Sequence, residues 1–145
     1  MGNNLIIENS DEYKGEALSA AIDTGAKLII VDDTRLTRLA ARADIWLQLR
    51  PGTDSVLALG ALNVIVNEDL YDKEFVENYA HGCEPFVKRV NEYPVDKVSE
   101  VTWILEDKIR DAARMFATSK PAGIQCGVLP LNSRSIAQTM TVPLP

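Results

Sequence analysis

The stretch at residues 27–54, KLIIVDDTRLTRLAARADIWLQLRPGTD, decides the fold because it holds two short apolar runs that each end in polar residues. The first run, Lys27–Val31, predicts a buried strand that leads into Asp33. The second run, Ile45–Leu49, predicts another strand that leads into Arg50–Asp54. Ligands of an open α/β sheet bind outside the carboxyl ends of its strands. We therefore expect both polar clusters to lie on one edge of a sheet, where they suit a nucleotide-shaped ligand.

Helical patterns surround these two strands. Apolar spacing predicts helices over Tyr13–Thr24, Asp54–Val66, Asp72–Tyr79, Pro85–Val90, Val95–Val101 and Leu105–Thr118, with a last short strand over Ala122–Val128. Asp54 and Asp72 are the predicted caps of their helices. The tail from Leu129 has no periodicity, and we expect it to be poorly ordered alone. The pattern indicates an α/β fold with a short, mostly parallel sheet flanked by helices.

Composition limits the classes of function that the chain can have. Its 145 residues are close to the commonest size of a single domain. Its net charge of −6 argues against non-specific binding to nucleic acid, whose phosphates are bound by clustered basic residues. The sequence has no apolar stretch long enough to span a bilayer and no secretory signal at its start. Cys83 and Cys126 form neither a metal-binding motif nor a disulfide framework, and a buried, inert thiol is the simpler interpretation of Cys126. His81, the only histidine, has no partner at catalytic spacing.

Several motifs share the order and spacing of one enzyme family. They are D-x-R-x-T at Asp33, Arg35 and Thr37, A-R-A-D at Ala41–Asp44, L-R-P-G-T-D at Leu49–Asp54, and A-L-G-x-x-N-V-I followed by L-Y-D-x-x-F-V between Ala58 and Val76. Over roughly 120 residues the chain resembles the molybdopterin oxidoreductases of the dimethyl sulfoxide reductase class. The resemblance implies a Rossmann-like three-layer fold, in which residues 1–128 form part of the cofactor-binding domain and residues 129–145 lead into a further segment.

The resemblance also implies the ligand, a molybdopterin guanine dinucleotide cofactor that carries molybdenum or tungsten. The family positions that approach its nucleotide arm correspond here to Gly2, Asn3, Asn4, Asp33, Arg35, Thr37, Gly52, Thr53 and Asp54. Thr34 stands where the family usually has proline, which leaves the register of that turn open by one residue. The family's metal ligand, and in some members an iron–sulfur cluster, would lie upstream of this chain. We therefore expect no catalytic and no metal-ligating residue within it.

The chemistry of these residues suits nucleotide binding, although the presence of each residue also has a simpler explanation. A carboxylate after a strand of a mononucleotide-binding unit accepts hydrogen bonds from ribose or from guanine nitrogens, and a guanidinium binds diphosphate. Backbone amides at Gly2–Asn4 would attract phosphate. As alternatives, Asp33, Arg35 and Thr37 solvate a turn and cap a helix, and the Thr53–Asp54 step caps the following helix. The simpler explanation of Gly2–Asn4 is an ordinary chain start with polar residues. Both roles are compatible at Asp54.

The leading hypothesis is a part of the catalytic chain of a molybdenum or tungsten oxidoreductase, inactive alone, that binds the guanine nucleotide arm. One family member hydrates an alkyne without net redox change, so the reaction class stays open. The alternatives are a free-standing α/β interaction module and a receiver-like domain without pterin binding. The expected partners are the remainder of the parent chain and an electron-transfer subunit, with self-association through exposed sheet edges. Cytoplasmic location is the default, while family members occur on both sides of bacterial membranes.

Overall fold

The computed structural model describes residues 12–32 and 37–125. Within these ranges the chain has two strands, six α-helices and a short 3₁₀ helix at Ala40–Arg42. In chain order the elements are α1 Glu12–Asp23, β1 Ile29–Asp32, β2 Ile45–Gln48, α2 Asp54–Asn67, α3 Lys73–Tyr79, α4 Cys83–Asn91, α5 Val95–Thr102 and α6 Glu106–Thr118. The α/β prediction is confirmed, and these helices and strands lie within a few residues of their predicted positions.

The sheet consists of β1 and β2, which pair in parallel. Ile29 lies opposite Ile45 and Asp32 opposite Gln48, so both strands point the same way and end together. Asp44 fixes the other end of the pair, because its carboxylate accepts hydrogen bonds from Lys27 Nζ at 2.8 Å and from the Leu28 N–H at 2.9 Å. The carboxyl ends of the two strands therefore share one edge, as the sequence predicts.

The hydrophobic core lies between one face of this sheet and the helices α2, α5 and α6. Side chains alternate along a strand, and the face that packs on the core carries Ile29 and Val31 from β1 with Ile45 and Leu47 from β2. Helix α2 is almost entirely apolar and buries residues from several of its turns, including Leu57, Leu62, Val64 and Ile65. Packing of α5 and α6 on this one helix fixes where α2 begins, close after the end of β2.

Two contacts between helices fix the geometry of the core. Gly60 of α2 lies against Val98 of α5, and a Cβ added at Gly60 would be only 2.7 Å from a Val98 methyl carbon. At the far end of α2, the Glu68 carboxylate accepts hydrogen bonds from Arg114 Nε at 2.8 Å and Nη2 at 2.9 Å. This bidentate pair joins the end of α2 to α6.

Two sequence-based predictions are wrong in detail. Asp54 is the first residue of α2 and not its cap, and Thr53, which precedes it, makes no capping hydrogen bond with its side chain. Residues 122–125 are not part of a strand, and the rest of the predicted strand Ala122–Val128 lies outside the described residues. Asp72, by contrast, caps α3 by accepting a hydrogen bond from the Phe75 N–H at 2.9 Å. The division into residues 1–128 and 129–145 remains a prediction, since 126–145 also lie outside the described ranges.

Across the two described ranges, every helix is too short or too polar to cross a membrane.

Candidate functional site

The turn between β2 and α2 is the best-defined part of the predicted site. The Arg50 N–H donates to the Thr102 carbonyl at 2.9 Å, which ties the start of the turn to the end of α5. The Arg50 carbonyl accepts from the Thr53 N–H at 3.2 Å and from the Thr53 hydroxyl at 2.6 Å. Thr53 is buried, and its hydroxyl donates its hydrogen bond to an acceptor within the turn itself. Thr53 therefore holds the shape of the turn.

Gly52 and Asp54 form the open side of this turn. Gly52 has φ of 80°, a left-handed conformation that favours glycine, and a Cβ added there would meet no atom within 4 Å. Asp54 opens the 14-residue helix α2 and is half-buried. Within residues 12–32 and 37–125 its carboxylate has no hydrogen bond or ion pair. The turn thus offers an unpaired carboxylate beside open space, next to the amides at the start of a helix.

Of the site residues predicted after β1, the structure describes Thr37. The Thr37 hydroxyl oxygen accepts a hydrogen bond at 3.1 Å from the N–H of Ala40, the first residue of the 3₁₀ helix. This is the simpler role that the sequence left open for Thr37, and its oxygen has a second lone pair. Asp33 and Arg35 lie outside the described residues. Gly2, Asn3 and Asn4 do as well, so their predicted role is untested.

Ion pairs hold the connection between β1 and β2 from the side opposite the site. The hydrogen bond from Lys27 lowers the pKa of Asp44 below its ordinary value, with a further contribution from the Leu28 N–H. The same hydrogen bond raises the pKa of Lys27. Arg42 of the 3₁₀ helix donates to Asp23 at the end of α1. These exposed contacts fix the geometry of the connection more than they add stability, since surface ion pairs contribute little.

Two residues at this edge were not among the predicted site residues. Arg50 places its guanidinium carbon 5.1 Å from the centre of the Trp103 ring. Trp103 is 70% exposed. Its backbone adopts a left-handed conformation with φ of 65° at the end of α5. No periodicity in the sequence marks such a position, because it depends on how α5 ends against the β2–α2 turn.

The other described residues that could carry chemistry suggest no second site. Among the described residues, no group of three or more His, Cys, Asp or Glu side chains is placed to hold a metal ion. His81 is exposed, and Cys83 is a free, partly buried cysteine at the start of α4. Cys126 lies outside the described ranges. Among the described residues, the β2–α2 turn remains the candidate site.

Comparison with known proteins identifies the family. No protein-family model matches the chain. Acetylene hydratase of Syntrophotalea acetylenica is 56% identical over 111 residues, which are 77% of this chain and 15% of that enzyme. The thiosulfate reductase molybdopterin-containing subunit of Salmonella typhimurium is 33% identical over 125 residues, or 85% of this chain and 16% of that subunit.

A solved structure agrees with these sequence matches. Acetylene hydratase from Pelobacter acetylenicus superposes with a TM-score of 0.87 at 46% identity, over 94% of this chain and 19% of that structure. The chain therefore spans less than a fifth of the length of each of these relatives. Motifs, fold and identity agree, and the chain belongs to the molybdopterin oxidoreductase family of the dimethyl sulfoxide reductase class.

Proposed function

We propose that this chain is part of the catalytic polypeptide of a molybdenum or tungsten enzyme and binds the guanine nucleotide arm of a molybdopterin guanine dinucleotide. The observation that carries the proposal is the open turn at Gly52–Asp54, which follows β2 at the edge where both parallel strands end. Nucleotides bind at this edge of α/β sheets because loops and helix starts converge there.

The residues of this turn fit a guanine base. Guanine presents the N1–H and the 2-amino group as two adjacent donors, and the Asp54 carboxylate has free acceptor positions for both. Gly52 leaves the space beside the carboxylate open, since no side chain projects from it. A hydrogen bond to a charged acceptor is stronger than one between neutral groups. Asp54 would therefore select guanine over adenine, which lacks these two donors.

Other residues extend the proposed site toward the sugar and the phosphates. Asp33 and Arg35 follow β1 in the sequence, and a carboxylate and a guanidinium there suit ribose hydroxyls and a diphosphate. Thr37 supplies a hydroxyl oxygen on the same connection. The backbone amides of Gly2–Asn4 would bind phosphate. These assignments rest on the family motifs and on the shared edge of the two strands.

The parent enzyme's chemistry belongs to the cofactor, whose bound metal supplies the redox or hydration step. This chain's own residues would bind and orient the nucleotide arm, and none of the described ones is assigned a proton-transfer role. The 56% identity with acetylene hydratase favours hydration of acetylene as the parent reaction. The partner that completes the site would be the remainder of the parent chain, joined in redox-active relatives by an electron-transfer subunit.

The test is a nucleotide titration of the ¹⁵N-labelled chain with GMP and AMP, monitored by amide chemical shifts. We expect GMP to shift the amides of the β2–α2 turn and to bind more tightly than AMP. Asp54→Asn should weaken GMP binding about tenfold and leave AMP binding nearly unchanged, because it removes a charged acceptor from the guanine edge. Asp96→Asn is the matched control, since it also removes a carboxylate from the first turn of a helix.

Equal affinities for GMP and AMP, both unchanged by Asp54→Asn, would contradict the guanine site. A receiver-like domain would instead respond to Mg²⁺ with a small phosphoryl donor such as acetyl phosphate. An interaction module without a ligand site would respond to neither titration.

A further inference from the structure

The conformation of Trp103 is unusual for so large a side chain. Its φ of 65° is one that residues other than glycine rarely adopt, and bulky residues least of all. Its neighbours Thr102 and Ile104 are buried, yet Trp103 itself is 70% exposed. Burial in the core therefore does not explain the tryptophan, and backbone preference opposes it. An exposed indole held in this way suggests contact with a ligand.

Arg50 connects this tryptophan to the proposed nucleotide site. Its guanidinium carbon lies 5.1 Å from the centre of the Trp103 ring, within the range of a cation–π interaction. Its N–H is bonded to the Thr102 carbonyl at 2.9 Å, directly before Trp103. Its carbonyl is bonded to Thr53, directly before Asp54. The hydrogen bonds of Arg50 thus join the residues that directly precede Trp103 and Asp54 in the chain.

The chemistry of this pair favours a nucleotide over an apolar protein segment. The guanidinium carbon lies 5.1 Å from the centre of the indole, while Trp103 as a whole is 70% exposed, so the side chain is accessible for stacking with another planar group. Aromatic side chains stack on nucleobases because every base has a π face, and a neighbouring arginine adds charge that attracts phosphate. An apolar segment would gain nothing from the guanidinium, which would lose part of its hydration on burial.

We propose that Trp103, with Arg50, is the stacking platform for the base of the bound nucleotide, so that Trp103 contacts the face of the base whose edge Asp54 binds. This inference rests on the proposed function, because it assigns a second contact to the same guanine. Trp103 would supply affinity for any purine, and Asp54 would supply the preference for guanine. The two contributions are separable by mutation.

The experiment uses the full chain with GMP, AMP and ribose 5-phosphate, which lacks a base. Trp103→Gly removes the indole and suits the left-handed backbone, so this variant is expected to fold. It should weaken binding of both GMP and AMP about fivefold or more and leave ribose 5-phosphate unaffected. Trp103→Phe should stay within about twofold of the parent sequence, because phenylalanine also stacks. Leu105→Ala, which shortens an equally exposed apolar side chain two residues away, should have no effect.

Fluorescence gives an independent readout of stacking. The chain has two tryptophans, so Trp46→Phe leaves Trp103 as the single tryptophan, whose emission is followed. GMP should quench its emission with the same dissociation constant that the amide shifts report. Ribose 5-phosphate should not quench it.

The outcomes separate the two proposals. Unchanged GMP binding by Trp103→Gly overturns the platform, and if Asp54→Asn still abolishes the guanine preference, the proposed function stands. Loss of purine affinity in Trp103→Gly, without any effect of Asp54→Asn, supports the platform and contradicts the guanine contact. No binding of GMP to the parent sequence at about 10 mM, well above the weakest dissociation constants usually counted as specific, overturns both.

Discussion

Gly60→Ala tests the close contact between α2 and α5 on which the position of the site depends. The added Cβ would lie 2.7 and 2.8 Å from the two Val98 methyl carbons and 3.0 Å from Val98 Cβ. Val98 is fully buried, and a β-branched side chain has little rotamer freedom in a helix. Neither residue can turn away, so the two helices must move apart by several tenths of an ångström.

Two effects of opposite sign set the size of the change. Overpacking a well-packed core costs about 1–3 kcal/mol, while alanine is favoured over glycine inside a helix by about 1 kcal/mol. We expect the overpacking to dominate, and Gly60→Ala to lower the free energy of unfolding by up to about 2 kcal/mol. Without the contact, the same substitution would stabilise the chain.

A double-mutant cycle with Val98→Ala isolates the contact. Val98→Ala removes the two methyl groups that the new Cβ would meet at the shortest distances. In that background, Gly60→Ala should be neutral or stabilising by up to about 1 kcal/mol, because the helix preference is then opposed only by the 3.0 Å contact with the Cβ of residue 98. Urea unfolding curves followed by circular dichroism measure all four chains. A stabilising effect of Gly60→Ala in the parent sequence, or the same effect in both backgrounds, would refute the reasoning.

Two further predictions concern polar groups in and around the core. The hydrogen bonds from Arg114 lower the pKa of Glu68 below its ordinary value of 4.5, so the pair contributes stability above that pH and loses it as the pH falls through the lower folded-state value. Urea midpoints at pH 7 and pH 3 should therefore differ less for Glu68→Gln than for the parent sequence, and an identical difference would argue against the pair. Within the described part of the chain, the buried Nε1 of Trp46 has no hydrogen-bond partner. Trp46→Phe removes this unsatisfied donor, whose burial costs about 1–3 kcal/mol. The substitution should therefore leave the urea midpoint unchanged or higher. A fall of more than about 2 kcal/mol in the free energy of unfolding would show that the indole N–H is satisfied.

The strands and helices were predictable because their signals are local. The apolar runs before Asp33 and Arg50 are short and end in polar residues, which is enough to indicate two parallel strands. Asp72 caps its helix as predicted, because the cap depends on residues three positions apart. Family membership could also be inferred, since the order and spacing of motifs such as Leu49–Asp54 are visible in the sequence alone.

The details of the site were less predictable because they depend on contacts between distant parts of the chain. Thr53 and Asp54 read as a capping pair, but the Thr53 hydroxyl turns to the Arg50 carbonyl and leaves the Asp54 carboxylate without a partner among the described residues. Arg50 is held by Thr102, 52 positions along the chain. A local pattern cannot indicate such a contact.

By itself, the sequence determined the α/β class, the parallel pair of strands and the family, because hydrophobic periodicity and motif order are properties of neighbouring residues. Only the tertiary structure decided which side chains are available to a ligand. Packing of α2 on α5 and α6 sets where the β2–α2 turn lies, and the end of α5 against that turn places Trp103 in solvent beside Arg50. The physical reason is that exposure and pairing are set by the neighbours that folding brings together, and these neighbours are far apart in the chain.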